Sequence, residues 1–444
     1  MDRRWLVRAV AVVLLVVCLA TLAHGYLTAP TTASRAAVPT AEPRDGVTVV
    51  TESARAGTLI AWRPNGSVRY YDDAHTKYYD VDPVDNTSHT VEYVATDTIH
   101  TAGPTCSSPP CTRNVIERAN LSTGDVREVY ARYDAREFSA EWHDHVRVDD
   151  ERVLIADMIH DQVFLVNTTT ELVEWRWDGQ SDYPVTGGGE FPRDWMHLND
   201  VELLEDGRIV VSLRNQDQVV FLDRETGLQG NWTLGSDGAH DVLYEQHNPD
   251  FIPRARGGPA LLVADSENGR IVEYQRANGS WDRTWQWADD RLQWPRDADR
   301  LPNGHTLVTD THGDRILEVG QNGDVVWQVP VTHPYDVERL GTGGGSAGGE
   351  SAQRRGLPSQ TAEGAGGFDE GGGGFDVFAL PAALVHWLVP SQVVNGVLYV
   401  APIWMKRAQF AALALGVLTA VAWVALEVRW RLPPLGLRWP VYRR

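Results

Sequence analysis

Lysine is almost absent from this chain. Lys77 and Lys406 are the only two among 40 basic residues, set against 60 Asp and Glu, and the formal net charge is −20. Neutralising a run of phosphates needs clustered cations, so this balance argues against DNA or RNA as a partner. It fits a protein held in solution at high salt, where screening blunts self-repulsion, and points to a halophilic source. Cysteine is scarce as well, with three in 444 residues. Cys18 lies in an apolar run. Cys106 and Cys111 flank Ser-Ser-Pro-Pro, too widely spaced for a redox Cys-x-x-Cys and with no second pair to build a zinc site. They close a small disulfide ring if their loop faces an oxidising exterior, and otherwise are two free thiols. No glycine-rich phosphate loop follows a strand, so no nucleotide cofactor is expected, nor any other cofactor or metal.

Long apolar runs occur only toward the two ends. Leu6 to Leu27 is apolar apart from Arg8 and His24, and follows Arg3 and Arg4. That length suits a spanning helix or a long signal peptide; a clean small-x-small cleavage site is missing, which favours an uncleaved anchor. Ala408 to Val428 is long enough to span, and five arginines follow it. The positive-inside rule then puts both termini in the cytoplasm and the chain between them outside the cell. The expected division is an anchor over 1–29, an extracellular domain over 45–340, a glycine-rich linker over 341–375, an interfacial apolar segment over 376–405, a transmembrane helix over 408–428 and a basic cytoplasmic tail over 429–444. Asn65, Asn86, Asn120, Asn167, Asn231 and Asn278 head Asn-x-Ser/Thr triplets and are glycosylation candidates on that exterior domain.

The region between is repetitive. VLIADMIHDQVFLV, IVVSLRNQDQVVFLD, LLVADSENGRIVEY and TLVTDTHGDRILEV are four copies of one hairpin, and Thr58 and Asn114 begin two more. Six hairpins at roughly 45–55-residue spacing predict an all-β fold, a six-bladed β-propeller flanked by N- and C-terminal transmembrane helices; a β-helix or open sandwich is the alternative. HPYDVERL, from His333, opens a unit that a glycine-rich stretch interrupts. GVTVVTES near the N-terminus supplies the strand it lacks, so the first and last blades are completed across the chain ends. Asp157, Asp265 and Asp310 recur at one place in each unit, as turn chemistry does. The tryptophans at blade ends, among them Trp175, Trp285 and Trp327, are read as inter-blade packing.

His197, Arg214 and His247 fall at the edges of predicted strands on successive blades, and His143 or His145 on the blade before. A propeller gathers such positions at one mouth of its central channel. A guanidinium offers a planar fork to a tetrahedral oxyanion, and a neutral imidazole serves as nucleophile or base near pH 7. Against this, Arg214 can simply pair with a carboxylate between blades, three histidines can hold a metal, and single loop histidines such as His160, His240 and His312 are mostly surface residues.

DWMHLND, SLRNQDQVVFLD, YEQHNPD and VADSENGRIVEY together resemble the arylsulfotransferases, the family that moves a sulfuryl group between phenols without a nucleotide donor. The acidic, membrane-anchored form is similar to the version found in haloarchaea. The resemblance spans roughly residues 45 to 340 of a six-bladed propeller. It implies His247 as the residue that accepts the sulfuryl group, after a glutamine. His197, two residues before Asn199, and Arg214 would bind the sulfuryl oxygens, with Asn199 at the substrate. His143 or His145 would be the proton carrier. Small aryl sulfates and phenols are the implied partners, beside the membrane; oligomeric state stays open. The family often continues His-Asp where this chain has Asn248-Pro249, which leaves room for a changed acceptor or for a scaffold that no longer catalyses. The rival readings are a non-catalytic surface propeller binding an envelope partner or polymer, and a metal-dependent hydrolase or lactonase.

Overall fold

The computed structural model describes residues 3–28, 34–53, 57–135, 140–289, 291–343, 348–361, 391–402 and 404–431. It divides into two units, Pro30–Phe368 and the chain ends Met1–Ala29 with Asp369–Arg444.

The larger unit is a six-bladed β-propeller. Blade 1 is assembled from both sides of the repeat, with Pro334–Arg339 innermost and then Thr48–Glu52, Leu59–Trp62 and Val68–Asp72. Thr48 opposes Arg339 and Val50 opposes Val337 in antiparallel register, so the expected closure across the chain ends is present and leaves no open joint. The innermost strands of blades 2 to 6 are Lys77–Pro83, Trp142–Arg147, Leu198–Leu203, His247–Ile252 and Pro295–Arg300.

Burial explains why the repeated hairpins read as continuous apolar runs instead of alternating ones. Arg152–Asp157, Ile209–Leu213, Ala260–Asp265 and Thr306–Asp310 are second strands, almost wholly buried because a blade covers each of their faces. Outermost strands such as Val325–Pro330 alternate between buried and exposed. The core is accordingly six apolar clusters, one at each blade joint. Tryptophans seal the rims: Trp175 Nε1 donates to the Arg224 carbonyl of the next blade, Trp287 Nε1 to that of Gly323, and Trp327 Nε1 to that of Glu42. Asp157, Asp265 and Asp310 are buried, and each accepts a backbone N–H of a turn: Ile159, Tyr244 and Gln293 respectively.

Three expectations change. Residues 348–361, placed inside a linker, belong to the propeller. They include a short helix α1 (Ala352–Arg355) capped by Ser351, Gly349 N donates to the Arg300 carbonyl, and Trp285 Nε1 donates to that of Pro358. The remainder of 341–375 lies mostly outside the described residues. Asn167 is buried, its side-chain oxygen accepting from Thr169 N and Thr170 N, which sets it apart from the other glycosylation candidates: Asn65, Asn86, Asn231 and Asn278 are exposed and Asn120 is half-buried. His312, read as a surface residue, is buried with its ring stacked on Trp294 at 4.4 Å. Cys106 and Cys111 are joined in a disulfide.

Among the described residues the second unit has two helices long and apolar enough to cross a membrane, α2 (Arg3–Thr28) and α4 (Arg407–Arg431). Before the latter lies α3 (Ser391–Val400), inside the expected interfacial segment, whose residues 376–390 are outside the described ones. The two long helices run antiparallel. Arg8, the charge in the apolar run, pairs with Glu427, and near the opposite ends Gln409 Nε2 donates to the Thr21 carbonyl at 3.3 Å.

Candidate active site

The propeller channel is lined by the starts of the six inner strands, and each of them has a register irregularity there. Such bulges bend a strand and re-aim one side chain. The chain also approaches four of these strands through a left-handed residue: His197, Glu245, Trp294 and His333 have φ of 53°, 46°, 58° and 43°. The outcome is a ring of one residue per blade, Tyr79, His143, Asn199, His247, Arg296 and Tyr335. His197 and Arg214 stand just above it, Arg214 at the end of the strand paired with Leu198–Leu203.

His247 is fully buried. Its Nδ1 lies 2.9 Å from Ser266 Oγ and 3.2 Å from the Glu245 carbonyl oxygen. A carbonyl oxygen only accepts, so Nδ1 carries the hydrogen and Nε2 keeps its lone pair. That Nε2 is buried without a hydrogen-bond partner among the described residues. Burial, then the positive fields of Arg296 and Arg214, drives the pKa well below the ordinary imidazole value, so the ring is neutral at pH 7.

Arg214 is held through one arm of its fork. Nη2 pairs with Glu245, and Nη1 lies 3.2 Å from His197 Nδ1, while Nε is buried without a hydrogen-bond partner among the described residues. The carboxylate anticipated as its partner is a glutamate, and the pairing positions the guanidinium over the histidines. His197 Nδ1 sits 2.5 Å from Asp194 Oδ1. Burial lowers the His197 pKa against the opposing pull of Asp194, and Arg214 adds to the lowering. Burial works to raise Asp194, yet His197 and Arg214 outweigh it and hold that carboxyl well below the usual range.

The structure separates the two histidines of the Glu-Trp-His-Asp-His segment. His143 joins the site, with its ring 5.1 Å from that of His197 and stacked on Tyr79 at 4.5 Å. Burial, then His197 and Arg296, lowers its pKa well below the ordinary value, and Nδ1 is buried without a hydrogen-bond partner among the described residues. His145 does not join it. Both its ring nitrogens are committed between blades 2 and 3, Nδ1 to Asp80 at 2.6 Å and Nε2 to Glu92 at 3.2 Å. Burial opposes its charge, but the bond to Glu92 and the surrounding carboxylates raise its pKa, and Glu92 falls to about 2. His145 thus ties blades 2 and 3 together. Asn199 donates from Nδ2 to the Gln246 carbonyl at 2.8 Å, beside His247, and its Oδ1 has no hydrogen-bond partner among the described residues.

Three residues of the ring escaped the sequence reading. Arg296 brings a second guanidinium, lying over Trp294 at 4.1 Å and Tyr335 at 5.0 Å. Tyr335 crosses the channel from blade 1 to blade 4, where its hydroxyl donates to the Asn199 carbonyl at 3.4 Å. Tyr79 meets its ring edge-on at 5.0 Å, so these aromatics floor the histidine cup. Chemically, the cup offers one neutral nucleophile, two guanidinium groups and two further imidazoles, a set matched to an anionic group under attack.

A family model described as arylsulfotransferase (ASST) matches residues 178–332. No curated protein matches the chain. Among solved structures, the periplasmic gluconolactonase of Pseudomonas aeruginosa is 13% identical over 67% of this chain and 99% of its own, at a TM-score of 0.44. A protein of unknown function from Bacteroides caccae is 12% identical over 67% and 98%, at 0.46. Virginiamycin B lyase from Staphylococcus aureus, in a catalytically inactive form, is 8% identical over 66% and 87%, at 0.39. Likeness at this level carries no functional argument. The stretch that the family model matches, about a third of the chain, contains His197, Arg214, His247 and Arg296.

Proposed function

We propose that the protein transfers a sulfuryl group from an aryl sulfate to a phenol through a sulfohistidine on His247. The observation that carries this reading is the buried, unpartnered Nε2 of a neutral imidazole whose other nitrogen is held as a donor. Nε2 attacks sulfur, the bond from sulfur to the aryl oxygen breaks, and its electron pair leaves on the phenolate. The sulfonated ring keeps its Nδ1 hydrogen, whose place against the Glu245 carbonyl matches the positive charge the ring then carries. In the return step a second phenol attacks sulfur, and the pair of the breaking S–N bond goes back to Nε2. Arg214 and Arg296 offset the charge on the sulfuryl oxygens. Asp194 is the counter-ion that lets His197 take a proton and donate to them. His143 hands a proton to the departing phenolate and recovers one from the acceptor.

This proton path has a measurable signature. The pKa of His143 is depressed, so its protonated form dominates only at lower pH. For a donor whose phenolate leaves poorly, phenol release therefore slows as pH rises. For a nitrophenyl sulfate, whose phenolate departs unaided, it stays flat. His143→Ala should slow the first donor by ~10²–10⁴-fold and leave nitrophenolate release nearly unchanged. Stopped-flow bursts measure both; identical pH profiles and identical losses for the two donors would remove His143 from the mechanism.

The antiparallel α2 and α4, with Arg3, Arg4, Arg429 and Arg431 at one shared end, support an orientation with both termini in the cytoplasm and the propeller outside. Protease added to intact cells should digest the propeller and spare both tails. Protection of the propeller would reverse that topology.

A further inference from the structure

The inner strands present their ring residues on a common plan, and blade 5 departs from it. In blade 3 Trp142 opposes Asp157 and Asp144 opposes Ala156, so His143 is the inserted residue of a bulge. Asn199 stands in the same way between Leu198 and Asp200, and Arg296 between Pro295 and Asp297. In these blades the aspartate after the ring residue takes the paired place, opposite Ala156, Ser212 or Thr309. Ala264 is their counterpart in the repeated hairpin of blade 5, and it is His247 itself that opposes it. The next pair is Asp250 with Leu262, so the insertion has moved into Asn248-Pro249.

Two local features produce this shift. Asn248 is left-handed, with φ of 38°, whereas none of Asp80, Asp144, Asp200, Asp297 and Asp336 has a positive φ. Pro249 has no N–H to donate. The residue two places beyond the ring otherwise ties its blade to the one before: Val81 N donates to Asp336 Oδ2 at 2.7 Å, Val201 N to Asp144 Oδ2 at 2.6 Å and Val337 N to Asp297 Oδ2 at 3.2 Å. Between blades 4 and 5 that bond has no donor. Asp200 Oδ2 is accordingly buried without a hydrogen-bond partner among the described residues.

The shift decides where the nucleophile points. Pairing with Ala264 sets His247 beside the end of the second strand, where Ser266 follows, and Ser266 Oγ lies 2.9 Å from His247 Nδ1. An inserted residue is left out of the ladder and lacks that restraint. We propose that Asn248 and Pro249 are positioning residues for the nucleophile: they carry the bulge one residue past His247 and lock its imidazole with Nδ1 on Ser266 and the Glu245 carbonyl, leaving Nε2 for sulfur. This rests on the reading of His247 as the sulfuryl acceptor.

The test grafts the common plan onto blade 5 of the full-length protein, as Asn248→Asp with Pro249→Val, the pair that stands at Asp80-Val81, Asp200-Val201 and Asp336-Val337. The added N–H gives Asp200 its missing donor, so the melting temperature should hold or rise. Turnover in sulfuryl exchange should nonetheless fall by about 10²-fold, with KM for the donor little changed, the loss that a displacement of about 1 Å causes at a reacting group. Nitrogen-15 spectra of histidine-labelled protein, with His247→Ala identifying the His247 signals, should place the hydrogen on Nδ1 in the wild type and no longer confine it there in the graft. Those spectra are taken without substrate, so they report on the positioning even where no sulfuryl exchange is found. A folded graft that keeps wild-type turnover, or keeps the wild-type His247 spectrum, overturns the proposal. Should the graft not fold, two single variants decide. Asn248→Gly accepts a positive φ and should transfer as the wild type does, whereas Asn248→Val should lose turnover; equal turnover in the two overturns the proposal. None of these results touches the sulfohistidine itself, which falls only if His247→Ala keeps exchange.

Discussion

His247→Ala is expected to lower the turnover number for sulfuryl exchange between two phenols by about 10⁴-fold or more, with KM for the donor changed little. That loss corresponds to about 5 kcal/mol of transition-state stabilisation. The asymmetry follows from the geometry. The groups that attract the sulfate ester, Arg214, Arg296 and His197, are anchored by Glu245, Ser53 and Asp194, none of which depends on the imidazole. Binding therefore survives while the nucleophile is gone, and direct transfer would need donor and acceptor phenols in line together. Mass spectrometry of the wild type quenched with an aryl sulfate should show a gain of one sulfuryl group on the peptide containing His247, absent from the variant. Exchange within tenfold of wild type in His247→Ala would sink the sulfohistidine. Ser266→Ala makes a graded control. Its hydroxyl orients the ring but carries no reacting atom, and the Glu245 carbonyl remains to hold the Nδ1 hydrogen, so a partial loss in turnover is expected.

The propeller was legible because second strands buried on both faces leave apolar runs that recur visibly, and because HPYDVERL lacks a neighbour that GVTVVTES can provide. Most of the site was legible for a related reason: His197, Arg214 and His247 interrupt those runs at strand ends, where packing does not call for them. Arg296, Tyr335 and Tyr79 were not found, although a signal existed. The inner strands align as Tyr79-Asp80, His143-Asp144, Asn199-Asp200, Arg296-Asp297 and Tyr335-Asp336. The residue before the aspartate is the ring position in every one. Reading those strands as edges to be packed, instead of as one column facing the channel, hid the pattern. His143 and His145 could not be separated by spacing, since in a regular strand both face one side; the irregularity at His143 is what divides them. The docking of 348–361 was hidden by composition, because Gly349 and Ser351 are there for close approach to Arg300 and Gly257 and not for looseness.

Three of the same strands continue to an arginine, Arg147, Arg300 and Arg339, and each reaches a glutamate of the preceding blade: Glu92, Glu273 and Glu318. Arg300→Leu is the most damaging single change expected for stability, at about 3–5 kcal/mol. Arg300 and Glu273 side chains are 1% and 0% exposed and lie 3.1 Å apart. Losing the guanidinium strands a buried carboxylate at the joint of blades 5 and 6. Glu273 also accepts Ala352 N at 2.8 Å, so the short helix α1 loosens with it. The pH dependence has a definite sign. Burial raises the Glu273 pKa, and Arg300 is the main influence opposing that rise. Without Arg300 the folded-state value climbs further above the unfolded one, so the variant is penalised most where the carboxyl must ionise. Its deficit in melting temperature should shrink as pH falls from 8 toward the unfolded-state pKa of about 4.3. Adding Glu273→Gln to Arg300→Leu removes the stranded charge and should recover part of the lost stability, a coupling read by a double-mutant cycle. Arg300 also lies over the Trp285 ring at 4.6 Å. If single and double variants melt alike at every pH, that stacking, and not the ion pair, is what the arginine contributes to the joint.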